Sequence, residues 1–205
     1  MNANDEQILT LVKQERRDEA MRLFVRQFQE KIYSVAYRMF LNHDDALDVS
    51  QETLIQADRA LSGFRGDSSL DTFVYRITTN VCLNYCRKQA RRRTVDPFDS
   101  QRIFESLRAG AESEPDVQCE RKAKEKMLEA ALQKIPEHLR IPVILHDLEG
   151  LTVPEIAAVL ERTPAAVKSS LHRAKQSLKS ILSSGIDVPG EEEAGRFVFS
   201  GSEIV

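Results

Sequence analysis

The stretch TVPEIAAVLERTPAAVKSSLHRAKQSLKSIL (Thr152–Leu182) reads as two helices joined by three residues. Thr152-Val153-Pro154-Glu155 has the form of a capping box, in which a hydroxyl and a carboxylate three residues apart satisfy the first free backbone donors, so a short helix opens there and runs to about Leu160. Glu161-Arg162-Thr163 is the turn. Thr163 caps a final helix with Pro164 at its first position, where the missing N–H costs nothing, and that helix continues to about Leu182. Val167, Leu171, Ala174 and Leu178 recur at i, i+4, i+7 and i+11 and form an inward stripe; Lys168, Ser169, His172, Arg173 and Gln176 point the other way. From Arg162 to Lys179 there are five Lys/Arg and no acid. Such a pair is a helix-turn-helix, whose second helix enters the DNA major groove, and charge of a single sign suits phosphate. A solvated face on an ordinary helical hairpin would explain the geometry but not the missing acid, in a chain with more acid than base. His172 alone would be a common surface histidine; its neighbours make it a candidate base reader.

Outward from this pair the periodicity stays helical. Leu128, Ala131, Leu132 and Ile135 mark a helix resuming at Cys119, and Pro136 suits the start of the next one, near Glu137 to Leu148. Pro142 inside that segment removes a backbone donor and is expected to kink or split it; Gly150 ends it. Near the N-terminus, Ala20, Leu23, Phe24, Phe28, Ile32, Val35 and Met39 form one stripe of a helix from Glu19 to Leu41. A second helix, about Asp44 to Ala60, is expected to turn Leu47, Leu54 and Leu61 inward. A third starts near Ser69, with Phe73, Ile77 and Val81 inward, and ends in five basic residues out of seven, Arg87 to Arg93. Between the two helical blocks, Thr94 to Val117 carries Pro97, Gly110, Pro115 and a net charge of −4, the composition of a linker without its own core. Its Phe98, Ile103, Phe104 and Leu107 are clustered enough to dock somewhere. After Ser183 the chain is again net −4 and reads as a disordered tail, with Phe197-Val198-Phe199 as its one apolar group.

The 205 residues (23.3 kDa) hold one large domain or two small ones, and 30% charged with 41% hydrophobic residues is a globular balance. A net charge of −3 excludes a uniformly basic nucleic-acid binder while leaving local basic patches. Three cysteines make no disulfide framework, and Cys82 with Cys86 lacks nearby partners for a metal site, so reduced structural thiols and a reducing, cytoplasmic compartment are expected. Charges at Asp5, Glu6, Lys13, Arg16 and Arg17 exclude a signal peptide, and no apolar run approaches the ~18 residues of a membrane span. There is no glycine-rich phosphate loop, nucleophile elbow or HExxH, so no catalytic residue, metal or cofactor is assigned and the chain is not read as an enzyme.

Two further patterns stand out. Asp48, Gln51, Glu52 and Ile55 fall at i, i+3, i+4 and i+7 on the outer face of the second helix. Their sign repels phosphate, so they suit a protein partner with a basic, partly apolar surface; spacing alone supports a plain solvated face equally well. In FRGDSSLDTFVYRITTN (Phe64–Asn80), Gly63 and Gly66 flank a loop, with Ser68 and Asp71 expected to cap the helix that follows. Phe64, this loop, Asn80 and the Arg87–Arg93 cluster together suit an unstacked base and its backbone.

DALDVSQETLIQA (Asp45–Ala57), then FRGDSSLDTFVYRI, a basic helix end, an acidic linker and a helix-turn-helix together resemble the bacterial extracytoplasmic-function (ECF) RNA polymerase sigma factors, over about Leu9 to Leu182. The resemblance implies an all-α fold with two small helical domains. Sigma domain 2 would take residues 1–93, an extended acidic linker 94–118, sigma domain 4 with the helix-turn-helix 119–183, and an acidic tail 184–205. It implies a non-catalytic factor that binds core RNA polymerase, directs it to promoter DNA and is held by an anti-sigma factor, without membrane insertion. By position, Asp48, Gln51, Glu52 and Ile55 would contact the polymerase. Phe64, Arg65, Asp67, Ser68, Ser69, Arg76, Asn80 and Arg87 would take the minus-ten element, including a flipped non-template base. Arg162, Lys168, Ser169, His172, Arg173 and Lys175 would read the minus-thirty-five element, and the linker would thread toward the polymerase cleft. The chain departs from the family at Phe73, where Trp is frequent, and at Ser50, where an aliphatic is usual. A conventional DNA-binding regulator would explain the helix-turn-helix but not the acidic face or the acidic linker. Fully extended, 24 linker residues reach ~80 Å, enough to bridge two elements about two DNA turns, or ~70 Å, apart.

Overall fold

A computed structural model describes residues 3–64, 66–95, 128 and 130–183, with backbone alone at residue 3 and at 92–95. Among them are seven α-helices and one π-helical turn: α1 (Ala3–Lys13), α2 (Arg17–Phe40), α3 (His43–Leu61), α4 (Leu70–Val95), α5 (Glu137–Val143), the π turn (Ile144–Leu148), α6 (Val153–Leu160) and α7 (Pro164–Ser183). The fold is all-α, as expected. Cys119, the linker with Phe98, Ile103, Phe104 and Leu107, and the tail with Phe197–Phe199 lie outside the described residues.

Helix α2 buries the anticipated stripe of Ala20, Phe24, Phe28, Ile32, Val35 and Met39, with Ala36 added and Leu23 half covered. Its N-terminal half packs against α1, whose apolar stripe is Ile8 and Leu11, and against Ala57, Leu61, Leu70 and Val74. The Phe24 and Phe28 rings sit 4.9 Å apart in a tilted pair. Leu41 ends α2 in the left-handed region (φ +49°), and the Asn42 side chain caps α3 by accepting from the Asp45 N–H at 3.0 Å.

Two local expectations change. Leu47 is not on the inner side of α3 but 39% exposed. The buried stripe is Ala46, Val49, Thr53, Ala57 and Leu61, mostly small residues, with Leu54 at its margin. The cap of α4 is Ser69 rather than Ser68, since the Ser69 hydroxyl accepts from the Thr72 N–H at 3.1 Å while Ser68 Oγ donates to the Ser69 carbonyl. Pro142 splits its helix, as expected: the α-helical run stops at Val143, one residue beyond it. Its lost donor falls within α5, and immediately beyond, the chain widens into the π turn, closed by the Glu149 N–H on the Ile144 carbonyl at 3.0 Å. Gly150 follows at φ +74°, as its position suggested.

The C-terminal helices pack on the N-terminal ones, which nothing in the sequence announced. One continuous core joins Val35, Ala36 and Met39 of α2 and Tyr75, Val81 and Cys82 of α4 to Leu132, Ile135, Leu139, Ile144 and Ile156. Polar groups close the same seam. The buried Arg140 guanidinium donates from Nη1 to the Met39 carbonyl at 2.6 Å, and Gln133 Nε2 donates to that carbonyl at 3.0 Å. An orphan acceptor in the last turn of α2 is thus satisfied from the other block. Glu149 accepts from Arg38, from Tyr75 at 3.0 Å and from Ser34 at 3.3 Å. Burial, then the adjacent Glu149 charge, push the Tyr75 hydroxyl far above its ordinary range, so it remains a donor.

Phe28→Ala is expected to cost about 3–5 kcal/mol by cavity formation, whereas Leu47→Ala should stay within ~0.5 kcal/mol. Urea unfolding of the two variants checks this, and comparable losses would return Leu47 to the core.

Candidate nucleic-acid and protein interfaces

The helix-turn-helix forms as its sequence requires. Glu155 closes the capping box, accepting from the Thr152 hydroxyl at 2.6 Å and the Thr152 N–H at 2.8 Å. Those bonds, the hydroxyl's first, hold the Glu155 carboxyl below its ordinary range. Glu161 ends α6 in the left-handed region (φ +52°), and Thr163 Oγ1 caps α7 by accepting from the Ala166 N–H at 3.2 Å. Val167, Leu171, Ala174 and Leu178 are all buried, which leaves Lys168, Ser169, His172, Arg173 and Gln176 on the open face with Arg162 in the exposed turn before them. Lys175 stands apart at the edge of this face, 3.6 Å from Asp147 of the π turn, which also pairs with His146 at 2.6 Å. It is tied to the scaffold more than the others.

On α4, Arg76, Asn80 and Arg87 follow at i, i+4 and i+11, so one stripe carries all three. At the N-terminal end of this helix the Phe64 ring packs 4.9 Å from Phe73, which meets Phe24 edge-on at 6.4 Å. Phe73 thus anchors the loop from half-buried ground, and Phe64 is half covered by it. Asp67 and Ser69 are exposed and Ser68 partly so; Arg65 lies outside the described residues, as do the side chains of Arg92 and Arg93. Asn80 is exposed, and Arg87 donates to the Asn84 side chain at 3.1 Å. Arg76 is engaged elsewhere: it donates to the Ala158 carbonyl at 3.0 Å, and its Nε lies 3.7 Å from Glu161. The structure therefore gathers the α4 residues but occupies one of them with the second helical block.

On α3, Asp48, Gln51, Glu52 and Ile55 are all exposed, Ile55 at 46%. Leu47 joins them one turn before Gln51, so the stripe carries two large exposed apolar residues rather than a stray one. Sequence reasoning missed Leu47, although its place four residues before Gln51 was the available signal. A cleft of about 320 Å³ runs between this face and α4, with Asp48, Glu52 and Gln56 on one side and Arg87, Lys88 and Arg91 on the other. The acidic face is therefore bordered by base. Such a surface suits a protein partner with its own mixed charge and an apolar contact at the centre. Cys82 and Cys86 are thiols rather than a disulfide, and burial pushes the Cys82 thiol strongly up, which keeps that one an inert neutral packing group. Among the described residues no group of His, Cys, Asp and Glu is placed to hold a metal, and no helix is long and apolar enough to cross a membrane.

Two family models match separate parts of the chain. Residues 24–92 match the sigma-70 region 2 family, and residues 125–178 match the sigma-70 region 4 family. The ECF RNA polymerase sigma-E factor of Escherichia coli (strain K12) is 34% identical over 177 residues, covering 84% of this chain and 92% of that protein. The ECF RNA polymerase sigma factor SigE of Mycolicibacterium smegmatis is 32% identical over 170 residues, 77% of this chain and 60% of that one. In fold, the chain is similar to CnrH, solved in complex with the cytosolic domain of CnrY (TM-score 0.61, 21% identity, 88% of this chain and 98% of that one). It is also similar to the sigma factor RpoE solved with the anti-sigma factor NepR from Bartonella quintana (TM-score 0.56, 21% identity, 81% and 97%).

The Glu155 cap gives a pH signature with a fixed sign. A carboxyl lowered on folding contributes its stability above its ordinary value and loses it as pH falls through the lowered one. Glu155→Ala is expected to lower stability by at most ~1 kcal/mol at neutral pH, with the gap to wild type closing as pH drops below the carboxylate range. Thermal melts over that range check it; a gap that widens in acid would contradict the assignment.

Proposed function

This chain belongs to the extracytoplasmic-function RNA polymerase sigma factors, alternative factors that direct promoter-specific transcription initiation, and we propose how its surfaces divide that work. Core polymerase binds the α3 face of Asp48, Gln51, Glu52 and Ile55, with Leu47 extending its apolar centre. The observation that carries this is the exposure of two large apolar side chains within an acidic face that repels nucleic acid. The minus-ten element meets the loop after α3 (Phe64, Arg65, Asp67, Ser68, Ser69) and the α4 stripe of Arg76, Asn80 and Arg87. Arg87 and its basic neighbours supply the backbone contacts there, and Phe64 with Asn80 the pocket for an extruded base. The minus-thirty-five element is read by α7, whose Lys168, Ser169, His172 and Arg173 face outward near the N-terminal end that enters a major groove, with Arg162 beside them. Lys175, drawn toward Asp147, contributes at the edge.

On this reading residues 1–93 and 119–183 act as two sigma domains, with 94–118 as the connection through the polymerase and 184–205 as an appendage. The protein does its work in the cytoplasm, needs no cofactor and performs no chemistry of its own. An anti-sigma factor is a further expected partner, in keeping with the similarly folded sigma factor RpoE, solved with the anti-sigma factor NepR.

Charge reversal at the α3 face tests the central assignment. Asp48→Arg or Glu52→Lys should abolish transcription and weaken core-polymerase binding by more than tenfold, about 1.4 kcal/mol or more, while helical content stays that of wild type. Unchanged affinity would remove the face from the interface, and lost helicity would make it structural.

For α7, Lys168→Ala, His172→Ala and Arg173→Ala should leave core binding intact and impair promoter use. A side chain that reads a base costs about 1–3 kcal/mol and relaxes preference at one position; one that touches phosphate weakens all promoters alike. Transcription of a matched promoter set by the three variants distinguishes these. Wild-type behaviour in all of them would show that another surface is the reader.

A further inference from the structure

A second cleft, of about 200 Å³, lies between the two helical blocks. Cys86 and Arg87 of α4 stand on one wall, and Glu137 and His138 of α5 with Arg162 of the turn after α6 stand on the other. Cys86 is partly exposed there, whereas Cys82, one turn earlier on the same helix, is fully buried. A buried cation acts on the Cys86 thiol. Arg140 is only 7% exposed. Its Nη1 and Nη2 donate to oxygens of Met39, Gln133 and Ile135, but its Nε has no acceptor among the described residues. Burial lowers the Arg140 guanidinium from its ordinary value, and the groups that oppose the lowering are Cys86 first and Glu137 second. That influence is mutual: a negative group that favours the guanidinium is itself favoured by it, the more so where water is largely excluded. Arg87 and Arg162 set two further cations in the cleft lining against the acid Glu137. A thiol in an electropositive, partly open setting is reactive, and one buried among apolar groups is inert. The two cysteines of α4 fall on opposite sides of that division.

We propose that Cys86 is a peroxide-reactive thiol, activated by the Arg140 guanidinium and reached by small oxidants through the cleft. The Cys86 thiolate attacks one oxygen of hydrogen peroxide. An S–O bond forms as the O–O bond breaks, so the sulfur is oxidised and the peroxide reduced. The second oxygen leaves as hydroxide and takes up the proton that the thiol released, giving water. Cys86 is left as a sulfenic acid. Arg87 and Arg162, assigned above to the two promoter elements, line the same cleft, so the oxygen is added beside both DNA-contacting surfaces. The site stands on thiol chemistry and does not rest on the sigma-factor reading.

The test uses the full-length chain and reads each cysteine separately by mass spectrometry. One arm follows alkylation by iodoacetamide at neutral pH, the other the sulfenic acid formed by hydrogen peroxide and trapped with dimedone. In both, each rate is compared with that of the same cysteine in urea. Cover alone slows a partly buried thiol on folding, so a rate that rises on folding requires activation. Cys86 should react about fivefold or more faster folded than unfolded, because an unperturbed thiol is only a few per cent thiolate at neutral pH. Cys82 should react about tenfold or more slowly when folded. Arg140→Met should remove the Cys86 gain and Arg140→Lys should keep most of it, since lysine restores the charge but not the fork of donors that a merely structural role needs. If Arg140→Met loses helicity, the wild-type ratio of folded to unfolded rates decides alone. A Cys86 that reacts no faster folded than in urea overturns the proposal, as does one that alkylates fast yet traps no sulfenic acid. A gain that survives Arg140→Met in a folded chain, or is lost equally in Arg140→Lys, also overturns it by removing Arg140 from the activation.

Discussion

Helix α2 must keep a seven-residue stripe out of water, and two different partners cover it. Ala20, Phe24, Phe28 and Ile32 are sealed by α1, α3 and the start of α4, which makes the first helical block a unit in its own right. Val35, Ala36 and Met39 sit in the core shared with the second block. The last turn of the same helix offers a carbonyl at Met39 that its own ladder cannot use, and Arg140 and Gln133 supply the donors. One helix therefore builds a domain at one end and a docking seat at the other. That division joins the two blocks without any element devoted to the seam.

Polar and apolar contacts contribute unequally to the seam. The hydrogen bonds at Met39, Glu149 and Ala158 are worth about 0.5–1.5 kcal/mol each for neutral pairs and somewhat more for charged ones, and the outer ion pair of Arg76 with Glu161 is exposed enough to count for little. Beneath them lies the apolar core that Val35, Ala36, Met39, Tyr75, Val81 and Cys82 share with Leu132, Ile135, Leu139, Ile144 and Ile156, and at about 1.5–3 kcal/mol for each large side chain buried it outweighs them. The π turn contributes by geometry: its wider ring carries the chain from Pro142 to Glu149 so that the carboxylate ends against α2 and α4 rather than in solvent.

Much of this was legible in the sequence, for physical reasons that can be named. The α2 stripe is built of large side chains at helical spacing, and the helix-turn-helix is bounded by a capping box, a threonine cap and a proline, each with a local cause. The α3 face was legible because its residues recur at three and four. Leu47 was misread because the inner side of α3 is made of Ala46, Thr53 and Ala57, small residues that allow close packing but weigh little on any hydrophobic pattern, so the larger leucines drew the reading toward themselves. Ser69 was mistaken for Ser68 because two adjacent serines serve equally until the backbone chooses one. The seam between the blocks was illegible, since Arg140 and Glu149 look like ordinary surface charges until the fold brings Met39, Tyr75 and Arg38 to them from 74 to 111 residues away.

Run-off transcription tests the account most directly. Purified core polymerase, incubated with genomic fragments with and without this protein, is predicted to yield transcripts from a discrete set of start sites only when the protein is present. Those transcripts should share two upstream elements about two helical turns apart, and the protein should remain bound to core through size exclusion. Tight, specific binding of the free protein to such fragments at physiological salt, with no association with core and no new transcripts, would contradict it.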